Sequence, residues 1–115
     1  MDEEIQIRGK RIGTGNPCFV IAEAGVNHNG DLALAKEMVH LAADAQADYV
    51  KFQAFRAQTL ATHSAPTADY QRNNAGVSDQ QSLLGALELS LDEFAVLADE
   101  CKSAGIGFLV TPFDT

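Results

Sequence analysis

The sequence has few basic residues, no long apolar run and no secretory start, and each shortage excludes a class of protein. Its 115 residues contain eight lysines and arginines against sixteen aspartates and glutamates, a net charge of -8. Nucleic acids and anionic membranes bind basic surfaces, so neither is expected as a partner. The apolar stretches at residues 18–22 and 108–110 are too short to cross a bilayer. The acidic opening MDEEIQIRGK is not a signal peptide, which predicts a cytoplasmic protein.

Cysteine is also scarce. Cys18 and Cys101 lie in apolar contexts without the spacing of a metal site, and both are predicted to be reduced core thiols. No pair of histidines, cysteines or carboxylates has the spacing of a closed metal centre. Hydrophobic residues make up 46% and charged residues 21%, an ordinary globular balance, and the length allows one small domain.

The hydrophobic pattern predicts alternating strands and helices, and hence an α/β fold. Its first part predicts a hairpin at residues 5–13 and an apolar strand buried on both faces at residues 17–25. A helix capped by Asp31 follows at residues 31–45, and a second strand at residues 49–55. Its second part predicts a long loop at residues 56–81 and a short helix at residues 82–89. A helix with a Ser90–Glu93 capping box follows at residues 90–105 and ends at Gly105, and a third strand lies at residues 107–111.

Four polar residues stand within or at the end of otherwise apolar strands: Glu23, Lys51, Gln53 and Thr111. The carboxyl ends of parallel strands line the ligand site in α/β folds. A charged residue in an apolar strand is costly unless it is paired or faces a polar pocket. These residues therefore predict a site for a small phosphorylated or carboxylated substrate, with the lysine as its cationic contact and the carboxylate as an acid or base.

Three alternatives stay open from the residues alone. Gln53 and Thr111 could be polar strand-end residues with satisfied hydrogen bonds and no ligand to bind. Glu23 and Lys51 could form a structural ion pair between neighbouring strands. Asn27 and His28, in the turn after the first strand, could complete an anion cradle or be ordinary turn residues, and His40 is predicted to be solvated.

Several motifs together resemble the sialic acid synthase family. They are IAEAGVNHNGD at residues 21–31, YVKFQ at 49–53, DYQ at 69–71, LELS at 87–90 and FLVTPFD at 108–114. Their order and spacing resemble the family over nearly all of residues 5–115, closer to the bacterial N-acetylneuraminate and legionaminate synthases.

This resemblance implies that residues 1–115 are the N-terminal segment, about three βα units, of a (β/α)8 TIM barrel preceded by a short β-hairpin. The family's small antifreeze-like C-terminal domain is absent from this chain. Family enzymes condense phosphoenolpyruvate with N-acetylmannosamine or a related 2,4-diacetamido hexose, and release phosphate. The resemblance also implies a divalent metal, manganese or magnesium, whose ligands are not in this chain, and a homodimer of the full-length protein.

By the same resemblance, Lys51 contacts the phosphoenolpyruvate anion, Thr111 its phosphate, and Glu23 acts as an acid or base. Gln53, Asn27 and His28 line the pocket, and the loop at residues 70–81 approaches the sugar. Gln46 departs from the family pattern, which has glycine there, so the end of that helix is expected to differ.

Two other functions remain to be distinguished. One is a different phosphoenolpyruvate-dependent synthase, which makes 3-deoxy sugar acids from a sugar phosphate. The other is a non-catalytic phosphate-binding α/β module that is stable on its own. The synthase interpretation implies that the 115 residues alone are inactive, and marginally stable or self-associating, because three barrel strands leave an open sheet edge.

Overall fold

A parallel three-stranded sheet, two long helices and an N-terminal hairpin make up the fold. The computed structural model describes residues 3–60 and 80–113. Its elements in chain order are β1 (Ile5–Ile7), β2 (Lys10–Ile12), β3 (Ile21–Gly25), α1 (Leu32–Asp44), β4 (Tyr49–Ala54), α2 (Ala57–Leu60), α3 (Gln80–Leu87), α4 (Leu91–Ala104) and β5 (Gly107–Pro112). Strands β1 and β2 pair antiparallel, and β3, β4 and β5 lie side by side in that order, all parallel.

The core lies between the sheet and the helices α1 and α4. Successive side chains of a strand point to opposite faces, so Val50 and Phe52 of the central strand β4 share one face. They pack with Val39 of α1 and Leu97 of α4, and these four side chains are at most 1% exposed. Their burial on one face leaves the intervening residues of β4 on the other.

Local sequence signals set the helix boundaries as predicted. The Asp31 side chain caps α1 by accepting from the backbone N–H groups of Ala33 and Leu34. Ser90 and Glu93 form the predicted capping box at the start of α4. Gly105 ends that helix in the left-handed conformation, with φ 77°.

The first strand of the sheet is shorter and less buried than predicted. It begins at Ile21 rather than residue 17, and Val20 and Ile21 remain 48% and 47% exposed. The prediction of burial on both faces is wrong for the described residues, because the helices cover only one face of the sheet.

The predicted long loop is also corrected in part. It contains α2 directly after β4, and α3 begins at Gln80, two residues before the predicted start. Residues 61–79 lie outside the described structure. Among the described helices, none has the length and apolar character needed to cross a membrane.

The N-terminal hairpin is fastened to the sheet by one carboxylate and one aromatic ring. Asp48, just before β4, accepts hydrogen bonds from the Lys10 ammonium and the backbone N–H of Val20. The Lys10 bond, assisted by the Val20 bond, holds the pKa of Asp48 below its usual value. The Arg8 guanidinium lies 5.7 Å from the centroid of the Tyr49 ring. The hairpin therefore covers the amino-terminal end of β4.

The two cysteines differ, contrary to the prediction. Cys101 is buried as expected, whereas Cys18 is exposed. Cys18 lies three residues before β3 begins, outside the paired part of the sheet. The prediction of a core thiol is wrong for Cys18.

We expect Gln46→Gly to stabilise the protein. Helix α1 ends with Ala47 N–H bonded to Ala42 C=O and Gln46 N–H bonded to Ala43 C=O, which places Gln46 at φ 66°. This conformation costs an L-residue roughly 1–2 kcal/mol. Glycine avoids that cost but loses about 0.5–1 kcal/mol more in backbone entropy. The free energy of urea unfolding should rise by about 0.5–1 kcal/mol.

The matched control for that experiment is Ala45→Gly. Ala45 has an ordinary φ of -76°, so glycine there should only destabilise. Equal effects of the two substitutions would show that the positive φ of Gln46 carries no strain.

We expect one fast and one protected thiol in the native protein. Burial, with the nearby Glu100 carboxylate, raises the pKa of Cys101 to about 11, so its reactive thiolate is scarce at pH 8. A thiol-specific chromogenic disulfide at pH 8 should react with Cys18 at once and with Cys101 only after unfolding. A fast reaction that persists in Cys18→Ser would contradict this assignment.

Candidate functional site

The face of the sheet opposite the helices carries the polar residues predicted to form a site. Lys51 and Gln53 alternate along β4 with the buried Val50 and Phe52. They therefore lie on the open face, away from α1 and α4. Neighbouring strands bring Glu23 and Thr111 to the same face at paired positions.

The central feature of this face is an ion pair between two strands. Glu23 of β3 is the register partner of Lys51 of β4. The carboxylate Oε2 lies 2.9 Å from the ammonium Nζ, and the two side chains are 46% and 32% exposed. The pair is thus formed, half-exposed and accessible from the open face of the sheet.

A bulge at the end of β3 brings an amide beside this pair. The register shifts between Glu23 and Gly25, and Gly25 adopts φ 57°, a conformation that favours glycine. A Cβ placed on Gly25 would lie 3.4 Å from Glu23 Oε1 and 3.8 Å from Gln53 Nε2. The carboxylate and the amide therefore approach the same backbone position.

Thr111 completes the cluster at its far side. It pairs with Gln53 in the parallel register of β4 and β5, close to the carboxyl ends of both strands. Glu23, Lys51, Gln53 and Thr111 are called the strand-end cluster below. The structure therefore brings these four predicted residues to one face of the sheet.

The two predicted turn residues, Asn27 and His28, lie in different environments. Asn27 is exposed in the turn after β3. His28 is fully buried, and its ring centroid lies 6.0 Å from that of Phe52, on the helix side of the sheet. The structure does not place His28 with the strand-end cluster.

Residues beyond the predicted set lie at the same edge of the sheet. A cleft of about 900 Å³ is lined at the ends of β4 and β5 by Ala54, Arg56 and Pro112, and beside α4 by Ser90 and Asp92. Glu88 fixes the start of α2 there by accepting a 2.8 Å hydrogen bond from the Ala57 N–H. Arg56 was not predicted as a site residue, although its position directly after β4, a strand with polar interior residues, could have indicated this cleft.

The strand-end cluster offers chemistry that suits a small anion. The Lys51 ammonium supplies positive charge, and amide and hydroxyl groups supply hydrogen bonds. The Glu23 carboxylate can accept a proton or orient a water. Within residues 3–60 and 80–113, no group of three or more His, Cys, Asp or Glu side chains is arranged to hold a metal ion. The predicted sugar-contacting segment is described only at residues 80 and 81.

Comparison with known proteins assigns the family. The model of the NeuB family matches residues 38–115. The chain belongs to the NeuB family. It is 52% identical over 103 residues to an N,N'-diacetyllegionaminic acid synthase of Legionella pneumophila, covering 89% of this chain and 29% of the relative. A synthase of the same name from Campylobacter jejuni is 47% identical over 97 residues, covering 84% and 29%. The chain thus spans about three-tenths of these relatives.

A solved structure supports the fold assignment. An N-acetylneuraminic acid synthetase from Leptospira borgpetersenii, in complex with citrate, matches with a TM-score of 0.79 and 36% identity. The match covers 100% of this chain and 36% of that one. The predicted fold class, the N-terminal portion of a (β/α)8 barrel preceded by a short hairpin, is confirmed.

We expect the Glu23–Lys51 pair to contribute little to stability. Half-exposed pairs are screened by water and typically contribute 0.2–1 kcal/mol. A double-mutant cycle of Glu23→Gln and Lys51→Met in this chain, measured by urea unfolding at a concentration where it is monomeric, should give a coupling below about 1 kcal/mol.

The cycle tests the alternative of a structural ion pair. A coupling of about 3 kcal/mol or more would mean that breaking the pair leaves an uncompensated charge. In that case the pair would serve the fold, and its place at the strand ends would not indicate a ligand site.

Proposed function

We propose that the complete protein is a sialic acid synthase-type enzyme. It condenses phosphoenolpyruvate with an N-acetylated amino sugar, N-acetylmannosamine or a 2,4-diacetamido hexose, to form a nine-carbon 2-keto acid and phosphate. The observation that carries this proposal is the strand-end cluster, whose ammonium and carboxylate lie 2.9 Å apart on the open face of the barrel sheet. The 52% and 47% identical relatives, both named N,N'-diacetyllegionaminic acid synthases, favour the diacetamido acceptor.

In this proposal, the positive and hydrogen-bonding groups of the strand-end cluster bind phosphoenolpyruvate. Lys51 binds the anion, because an ammonium pairs with carboxylate or phosphate as a compact charge. Thr111, at the carboxyl end of β5, donates a hydrogen bond from its hydroxyl to the phosphate. Gln53 lies between these two residues and orients the substrate through its amide, and Asn27 lines the rim from the exposed turn.

The carboxylate of Glu23 supplies acid–base chemistry. Carbon C3 of phosphoenolpyruvate forms a bond to the aldehyde carbon of the open-chain sugar, and the aldehyde oxygen takes a proton. Water adds at C2 and loses a proton, and the C2–O bond breaks so that phosphate leaves with the bonding pair. Glu23 accepts or donates one of these protons, since it contacts Lys51 and its side chain remains half-exposed to incoming water.

We propose that the complete protein binds a divalent metal, manganese or magnesium. When bound, such an ion would polarise the sugar aldehyde. The described residues contain no group able to hold it, so no step is assigned to it in this chain. We also propose a cytoplasmic homodimer whose substrates are these two small molecules, without nucleic acid or membrane partners. The net charge of -8 supports the last point.

The test is phosphate release by the complete protein, with product mass determined for each acceptor. Phosphate should appear with an acetamido sugar and not with a sugar phosphate. Lys51→Met should raise the KM for phosphoenolpyruvate about 10- to 100-fold, the cost of losing a hydrogen bond to a charged group. Glu23→Gln should lower kcat about 10²- to 10⁴-fold.

Lys102→Met is the matched control, because Lys102 is exposed in the last turn of α4. It should leave both parameters unchanged. Turnover only with a sugar phosphate would favour a 3-deoxy sugar acid synthase. Binding of phosphoenolpyruvate without release in the presence of any acceptor would favour a non-catalytic phosphate-binding module.

A further inference from the structure

One histidine lies inside the core, on the face of the sheet opposite the strand-end cluster. His28 is fully buried and is the sole buried polar or charged residue among residues 3–58 and 82–113, the part of the chain whose burial the structure describes. Its ring packs near Phe52, whose own side chain is fully buried between the sheet and the helices. Burial of an imidazole is costly unless its polar atoms are hydrogen-bonded.

The hydrogen bonding of His28 fixes its protonation state. The Gly30 N–H donates to Nδ1 over 2.9 Å, so Nδ1 carries a lone pair and the ring proton resides on Nε2. Within the described part of the chain, Nε2 has no hydrogen-bond partner. A doubly protonated ring would turn Nδ1 into a donor facing the Gly30 donor. The observed turn therefore requires the neutral imidazole.

The charges around His28 do not neutralise a cationic ring. Burial lowers the pKa of His28, and the Glu93 carboxylate of α4 partly opposes this. That carboxylate already accepts a 3.0 Å hydrogen bond from the Ser90 N–H in the capping box. Asp31, on the same turn, is committed to capping α1, and Lys51 lies on the opposite face of β4.

The bond to His28 closes a turn with close tertiary packing. The turn at residues 26–30 runs from the Gly25 bulge to the cap of α1, and Asn29 and Gly30 adopt φ 56° and 75°. A Cβ on Gly30 would lie 2.3 Å from the carbonyl oxygen of Ala86 in α3. Release of this turn would therefore disturb both the contact with α3 and the strand end that carries Glu23.

We propose that His28 is a positioning residue: its neutral imidazole holds the turn at residues 26–30 against α3, keeps the Glu23 end of β3 in register, and releases the turn when it takes up a proton. The consequence for catalysis rests on the proposed function. The consequence for the turn does not, since it concerns only the Gly30 N–H and the imidazole.

The direction of the pH effect follows from the lowered pKa. The unfolded chain binds the proton near pH 6.5, whereas the folded protein binds it only at lower pH. The stabilisation is therefore fully present above pH 6.5 and is lost as the pH falls from there toward the folded pKa.

The test uses three variants of the complete protein. His28→Asn keeps an acceptor oxygen near the Nδ1 position and cannot titrate, and His28→Phe fills the ring volume but removes the acceptor. Glu93→Gln keeps a capping-box side chain and removes the charge. His40→Asn is the control, since His40 is 52% exposed and pairs with Glu100.

The readouts are Gly30 amide exchange, the ¹⁵N resonances of His28, and the urea midpoint between pH 5 and 8. Gly30 exchange should be fast in His28→Phe and slow again in His28→Asn. Both variants should lose the His28 part of the decline below pH 6.5, and His40→Asn should keep it. Glu93→Gln should move the His28 titration to lower pH.

Two results would overturn the inference. One is an Nδ1-protonated neutral ring at pH 8. The other is equal Gly30 exchange in the asparagine and phenylalanine variants. These readouts need no substrate, so a protein without phosphate release would refute the proposed function and leave the role of His28 to be decided separately.

For catalysis, His28→Asn should retain more kcat than His28→Phe, with little change in KM.

Discussion

The parallel register of β3, β4 and β5 is the constraint on which the rest of the molecule depends. It pairs Glu23 with Lys51 and Gln53 with Thr111, and so determines which polar side chains can meet. The strand period of two then separates these residues from the core, because Val50 and Phe52 point to the helices. A shift of one residue would bury the lysine and expose the phenylalanine, so core packing itself fixes the geometry of the site.

The same constraint explains why charges can occupy the middle of an apolar strand. A buried ion pair often costs more in desolvation than its attraction returns. The Glu23–Lys51 pair avoids most of that cost because it remains half-exposed on the open face. By contrast, His28 is buried on the helix side of the sheet, where burial lowers its pKa and its Nδ1 accepts a hydrogen bond from the Gly30 N–H. The charged chemistry and the neutral anchor thus lie on opposite faces of one thin sheet.

Features encoded over a few residues could be predicted from the sequence, and features that depend on distant packing could not. The hairpin, the caps at Asp31 and Ser90, and the glycine stop at Gly105 follow from local hydrogen bonds and backbone preferences. The four cluster residues were predictable because strand alternation and parallel order place strand ends together. The exposure of Cys18 was not, since its apolar neighbours indicate burial but only tertiary structure shows which face a helix covers. The anchoring role of His28 depends on the bend that brings Gly30 back to its ring, which no spacing rule predicts.

The charge of the strand-end cluster also limits what these residues can do alone. Lys51 is its one cation, and at rest that charge is matched by Glu23. Under the proposed function, the phosphoenolpyruvate that enters carries several negative charges, so it competes with Glu23 for Lys51 within a chain of net charge -8. One ammonium with an amide and a hydroxyl cannot balance that charge. The proposed function therefore requires further positive groups beside the cluster, and Arg56 lines the cleft at the same edge of the sheet. The proximity of Glu23 to Lys51 then acquires a second consequence: an anion that binds Lys51 competes with the 2.9 Å ion pair and frees the Glu23 carboxylate to contact a water or the substrate.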